Sequence, residues 1–163
     1  RARPARRPPS RRSSGGVRER TNVRDLSGPE AVGGAVDVVT ADLSFISLRT
    51  VLPALLAVAR PGADLVLLVK PQFEAGRQEA ARGKGVITDP VVWRRVLDEV
   101  KGALVDHGAD IMGAMVSPLT GADGNVEFLL WARTPASDAA AAVPPSVDLD
   151  AVVAEALARR GEG

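Results

Sequence analysis

The chain has 163 residues, 45% of them hydrophobic and 25% charged, the balance of one folded domain of ordinary size. It has no cysteine and one histidine, His107, which excludes disulfides, thiolate metal centres and histidine metal clusters, so no metal is expected. Aromatics make up only 3%, so the core must be built from Val, Leu, Ile and Ala. Net charge is +1, but Arg1, Arg3, Arg6, Arg7, Arg11, Arg12, Arg18, Arg20 and Arg24 crowd the first segment. No apolar run is long enough to span a bilayer, and no apolar core follows the Arg-rich start. A cytoplasmic protein without a membrane segment is expected.

Residues 1–16 mix Arg, Pro, Ser and Gly without periodicity and are expected to be disordered. Such an arm could hold phosphates. The plainer reading is a solvated tail, because no aromatics interleave for base stacking. Val17 to Val23 is a weak strand candidate ending at Thr21-Asn22. Val36 to Ala41 reads as a short buried strand, with Asp42 directly at its end. Ser47 then opens a helix whose apolar face is Leu48, Val51, Leu52, Leu55, Leu56 and Ala59. Arg60-Pro61-Gly62 is expected to stop it.

Asp64 to Val69 (DLVLLV) is a continuous apolar run, which predicts a parallel strand covered on both faces. Lys70-Pro71 ends it, and Gln72 to Gly85 reads as a long polar loop. Asp89-Pro90 opens a second helix with Val92, Val96, Val100 and Leu104 as its stripe, and Gly108 closes it. Ala109 to Val116 and Val126 to Ala132 are the last strands. The link between them leaves no room for a crossover helix, so an antiparallel pair is expected. A Pro/Ala linker and a short helix near Val147 to Arg159 follow. The expected units are therefore 1–16, 17–135 and 136–163. The fold class is α/β, the carboxyl-terminal half of a doubly wound sheet ending in an antiparallel hairpin.

In such sheets ligands lie beyond the carboxyl ends of the parallel strands, where Asp42 and Lys70 fall. The chain has eighteen arginines but only three lysines: Lys70, Lys84 and Lys101. A lysine at the end of a buried strand suits proton abstraction, because lysine can lose its proton when desolvated and arginine effectively cannot. The bland alternatives stay open for each residue alone. Lys70 would then be a snorkelling strand-end lysine, Asp42 a turn cap and Glu127 a surface carboxylate on an edge strand.

Five segments together resemble the TlyA (hemolysin A-like) family. They are Glu19-Arg20-Thr21-Asn22-Val23-Arg24, Asp42-Leu43-Ser44-Phe45-Ile46-Ser47-Leu48, Leu68-Val69-Lys70-Pro71-Gln72-Phe73-Glu74, Gly83-Lys84-Gly85-Val86-Ile87 with Asp89, and Ser117-Pro118 followed by Gly124-Asn125-Val126-Glu127. The resemblance implies an FtsJ-like, Rossmann-like class I methyltransferase. It implies transfer of methyl from S-adenosylmethionine to the ribose 2'-hydroxyl of cytidine in ribosomal RNA, with ribosomal RNA or ribosomal subunits as partners. It also implies a Lys-Asp-Lys-Glu tetrad, in which Asp42 is the aspartate, Lys70 the second lysine and Glu127 the glutamate. Asn22 would lie by the cofactor's adenine, and Asp42, Leu43 and Ser44 by its methionyl end.

The sequence departs from that pattern upstream. The family's Gly-rich cofactor loop and first tetrad lysine belong well before residue 19, and residues 1–18 hold neither. The resemblance thus implies an amino-terminally incomplete methyltransferase domain, inactive by itself for lack of the loop. The alternative from another class is a non-catalytic RNA-binding module that uses the basic arm.

Overall fold

The computed structural model describes residues 16–136 and 145–161. The disorder expected for the Arg-rich arm and most of the Pro/Ala linker lie outside the described residues. Strand β1 (Val36–Ala41) leads to helix α1 (Leu48–Val58) and strand β2 (Ala59–Val69). Two short helices follow, α2 (Pro71–Glu74) and α3 (Arg77–Arg82), then the long helix α4 (Pro90–Asp106). Strands β3 (Asp110–Val116) and β4 (Phe128–Arg133) and helix α5 (Leu149–Gly161) complete the order.

The sheet runs β1-β2-β4-β3, with β1 and β2 parallel and β4 antiparallel to both its neighbours. This is the half-sheet with a terminal antiparallel pair that the sequence predicts. Both long central helices begin as their sequences dictate. Ser47 Oγ accepts from Arg49 N at 3.2 Å to cap α1. Asp89 Oδ1 accepts from Val91 N at 2.9 Å to cap α4, with Pro90 at its first position.

One face of the sheet is the core. Val39, Ala41, Leu65, Leu67, Val69, Phe128, Leu130 and Ala132 are buried there against Val51, Leu52 and Leu55 of α1 and Trp93, Val96, Leu97 and Val100 of α4. Each fully buried Leu or Phe contributes about 1.5–3 kcal/mol. Helix α5 adds Leu149, Val152, Val153 and Ala156 to the same core. Trp93, the largest buried side chain, keeps its indole satisfied by donating Nε1–H to Ile87 O at 3.0 Å.

Five expectations need correction. Strand β2 is not covered on both faces: Ala63, Leu65, Leu67 and Val69 are buried, while Asp64, Val66 and Leu68 between them are half-buried. The buried strand expected at β1 is likewise half-open, with Val38 exposed. Among the described residues the long helices α1, α4 and α5 all cover one face, so the apolar run meets packing on one side only.

Val17 to Val23 forms no strand. Asn22 Oδ1 accepts from Arg24 N at 3.0 Å and turns the chain into a 3-10 helix over Val23–Asp25. Arg60-Pro61-Gly62 lies within extended β2 rather than at a helix stop, because α1 already ends at Val58. Thr134 Oγ1 donates to Arg60 O at 2.8 Å and fixes that stretch. The loop expected over Gln72 to Gly85 is largely α2 and α3, with Pro71 preset for the first helical position.

Candidate active site

The topology explains why three charged side chains meet. The carboxyl ends of parallel β1 and β2 share one edge of the sheet with the amino-terminal end of antiparallel β4. Asp42 follows β1, Lys70 follows β2 and Glu127 precedes β4. Lys70 Nζ lies 2.6 Å from Asp42 Oδ1 and 4.0 Å from Glu127 Oε1. The lysine side chain is 12% exposed, while Asp42 is 69% exposed. The lysine stem is therefore sheltered, and its head is shared between an outer and an inner carboxylate.

Glu127 is 7% exposed. It neither belongs to an edge strand nor faces solvent, since β4 runs between β2 and β3. Its carbonyl accepts from Ser117 N at 2.8 Å, and its Oε1 accepts from Gln72 Nε2 at 3.4 Å. A carboxylate only accepts, so this contact requires the Gln72 amide nitrogen to face Glu127. Gln72 Oε1 is then left buried without a donor among the described residues.

Two further residues of the site escaped the sequence reading of roles. Glu74 is 4% exposed and accepts from Ser47 Oγ at 2.5 Å and from Leu48 N at 2.6 Å. Arg49 Nη2 donates back to Glu74 O at 2.9 Å. These bonds tie the segment after Lys70 to the first turn of α1, and so to the loop that carries Asp42. The one sequence signal is a glutamate placed directly after Phe73, close behind a buried strand. The second residue is Phe45, 91% exposed with a φ of 63°, its ring centroid 5.1 Å from that of Phe73. A bulky residue at positive φ and in full solvent is uncommon, and such strain concentrates at working sites.

Residues 6–134 match the family described as FtsJ-like methyltransferase. The chain belongs to the FtsJ-like methyltransferase family. It is 52% identical over 118 residues to the 16S/23S rRNA (cytidine-2'-O)-methyltransferase TlyA of Mycobacterium tuberculosis, covering 72% of this chain and 43% of that protein. The candidate rRNA methyltransferase YqxC of Bacillus subtilis is 41% identical over 140 residues, 86% of this chain and 50% of that protein. A solved structure of a candidate hemolysin from Streptococcus thermophilus superposes with a TM-score of 0.73 at 36% identity, covering 87% of this chain and 50% of that one. The chain spans about half the length of the curated relatives it matches.

In this member of the FtsJ-like methyltransferase family the expected site residues fall into two groups. Asp42, Lys70 and Glu127 come together. Asn22 is not hydrogen-bonded to them; its Oδ1 serves Arg24 N at 3.0 Å and Arg24 Nε at 3.3 Å. Leu43 packs against the core, and Ser44 is exposed beside Asp42. A cavity of about 500 Å³ lined by Thr21, Val23, Leu26 and Val32 flanks Asn22 in the chain. No helix among the described residues is long and apolar enough to cross a membrane.

Proposed function

We propose that the protein methylates the ribose 2'-hydroxyl of cytidine in ribosomal RNA, using S-adenosylmethionine, with Lys70 at the reacting hydroxyl. The observation that carries this reading is Lys70 Nζ held between Asp42 and Glu127 at one edge of the sheet. Membership of the FtsJ-like family supports it, and so does the rRNA (cytidine-2'-O)-methyltransferase identity of the M. tuberculosis relative.

The residues fit the cofactor in part. The exposed Asp42 carboxylate suits a positively charged ammonium, and Ser44 stands next to it. The cavity lined by Thr21 and Val23, the chain neighbours of Asn22, falls in the size range of a small-molecule pocket, although Asn22 itself does not line it. When bound, S-adenosylmethionine supplies an electrophilic methyl group on a sulfonium sulfur. Lys70 orients the attacking hydroxyl and holds or takes its proton. Asp42 and Glu127 fix the lysine head from two sides, so that it cannot swing away. With the cofactor held there, the methyl would pass to the ribose oxygen as its bond to sulfur broke, and Lys70 would contribute by positioning that oxygen. The catalytic unit in this reading is residues 17–135.

We expect the 163-residue chain alone to bind the cofactor weakly, since its described residues offer no glycine-rich turn directly after a strand. The assay therefore compares the chain with a chimera that supplies the part of TlyA it does not span. Methyl incorporation into ribosomal subunits is measured for each, with and without Lys70→Ala. A general acid–base group is worth about 10²–10⁴-fold, so a loss of that order is expected. Full activity in Lys70→Ala would sink the role given to the lysine. Absence of RNA methylation by the folded chimera would sink the reading itself.

A further inference from the structure

Helix α5 lies beyond residues 6–134, outside the family match. Its first turn is pinned by Arg94, whose Nε lies 2.7 Å from Asp150 Oδ1. Its buried face of Leu149, Val152, Val153 and Ala156 rests on α4 and β3. These contacts aim its last turn at the active-site edge of the sheet. There Arg159 and Arg160 line a cavity of about 200 Å³ together with Ser117, Thr120 and Glu127. The same Glu127 whose Oε1 lies 4.0 Å from Lys70 Nζ thus forms part of this cavity's wall.

The charge balance of the cavity is basic. Among the described residues Glu127 is the one acidic side chain lining it, and that carboxylate already serves Lys70 and Gln72. Arg159 pairs with Glu155 one turn back on its own helix. Arg160 has no carboxylate partner among the described residues. Basic residues in a last helical turn also complement the helix dipole, the plainest account of them. That account needs only their position on the helix; it does not call for a cavity shared with the catalytic glutamate.

We propose that this cavity is a phosphodiester subsite, in which Arg159 and Arg160 hold a backbone phosphate of the RNA next to the nucleotide whose 2'-hydroxyl lies at Lys70. The inference rests on the function proposed above. Guanidinium groups present a planar fork of donors that matches phosphate oxygens, and Thr120 adds a hydroxyl to the lining. The position suits the substrate rather than the cofactor. The cavity adjoins Glu127 and the β3–β4 side of the site, while the cofactor contacts inferred for Asp42 and Ser44 lie on the β1 side.

The test measures RNA binding by the 163-residue chain across a salt series, using a ribosomal RNA fragment and fluorescence anisotropy. The double variant Arg159→Ala/Arg160→Ala is compared with Arg159→Lys/Arg160→Lys. Each single-strand phosphate contact contributes about 0.7 to the slope of log affinity against log salt. The alanine pair is expected to bind several-fold more weakly, with a slope lower by about 0.7 for the one phosphate released, while the lysine pair retains the slope. The arm at residues 1–16 is common to all three proteins, so the difference isolates α5. Both arginines lie outside the helix's buried face, and an unchanged melting temperature confirms the fold. Unchanged affinity and slope in the alanine pair, or no RNA binding by the parent chain, would overturn the subsite. Arginine-dependent RNA binding without methyl transfer by the chimera keeps the subsite and removes the methyltransferase reading. Methyl transfer with arginine-independent RNA binding does the reverse.

Discussion

A β-carbon added at Gly121 would stand 2.2 Å from Oε1 and 2.7 Å from Cδ of Glu127. The loop before β4 therefore needs a hydrogen at this position for the glutamate to reach Lys70. The atoms in conflict are the end of a side chain rather than backbone, so the fold has a way to yield and the site does not. Gly121→Ala is expected to leave the melting temperature nearly unchanged and to lower methyl transfer in the chimera by about 100-fold, the scale of a 1 Å misplacement. Calorimetry beside a turnover assay checks the split. Equal losses in stability and activity would contradict it.

Glu74 should show the opposite balance. Removing its carboxylate leaves Leu48 N–H without its acceptor at the buried start of α1 and takes a partner from Ser47. Leaving a buried donor unpaired costs about 1–3 kcal/mol. Glu74→Ala is expected to destabilise the chain by that amount in urea unfolding. Glu74→Gln retains one acceptor oxygen and should recover part of the loss.

Phe45 combines exposure with positive φ. If it offers a face for a nucleobase, Phe45→Ala should weaken RNA binding by about 1–3 kcal/mol, the usual worth of base–aromatic stacking. Phe45→Gly removes the ring and also the backbone strain. It should bind RNA as weakly as the alanine variant but melt higher. Undiminished RNA affinity in both variants would remove Phe45 from the interface.

Asp64 gives the pH dependence. The Trp131 indole donates to its Oδ1 at 2.8 Å, and this bond is the first cause that holds the carboxyl below its ordinary range. Partial burial works against the shift, and Arg133, with Nε at 2.9 Å, adds to it. A depressed carboxyl pKa stabilises the fold above the unfolded-state value near 3.9 and loses that contribution as pH falls through the folded value. Asp64→Asn should therefore flatten the acid limb of the melting-temperature profile and leave its slope near neutrality alone. An unchanged acid limb would show that the pair does not contribute.

Much of this was legible because the relevant signals are local. Ser47 and Asp89-Pro90 mark helix starts by their own side chains, and both cap as expected. Asp42 and Lys70 were placed together because parallel neighbours bring their carboxyl ends to one edge. The exposure of one sheet face was not legible: DLVLLV has the same apolar composition whether one or two layers of helix cover it. Glu74 was missed for a related reason. Its partners Ser47 and Leu48 lie 27 and 26 residues away, and nothing in the motif says which backbone it caps.

The placement of β4 has a consequence for how the site comes into being. It is the last strand among the described residues, yet it lies between β2 and β3. During synthesis β3 emerges with no neighbour to bond to, and Lys70 waits at the end of β2 without its inner carboxylate. Both are resolved in one event, when the segment from Glu127 to Arg133 leaves the ribosome and slides between them. The Lys70–Glu127 approach depends on the most distant strand pairing in the sheet, the kind of long-range closure that is slow to form. A nascent chain stalled before residue 127 would carry Lys70 and Asp42 but lack the carboxylate that completes the site. The cluster of Asp42, Lys70 and Glu127 is thus assembled only by the closing of the sheet, not by any earlier segment alone.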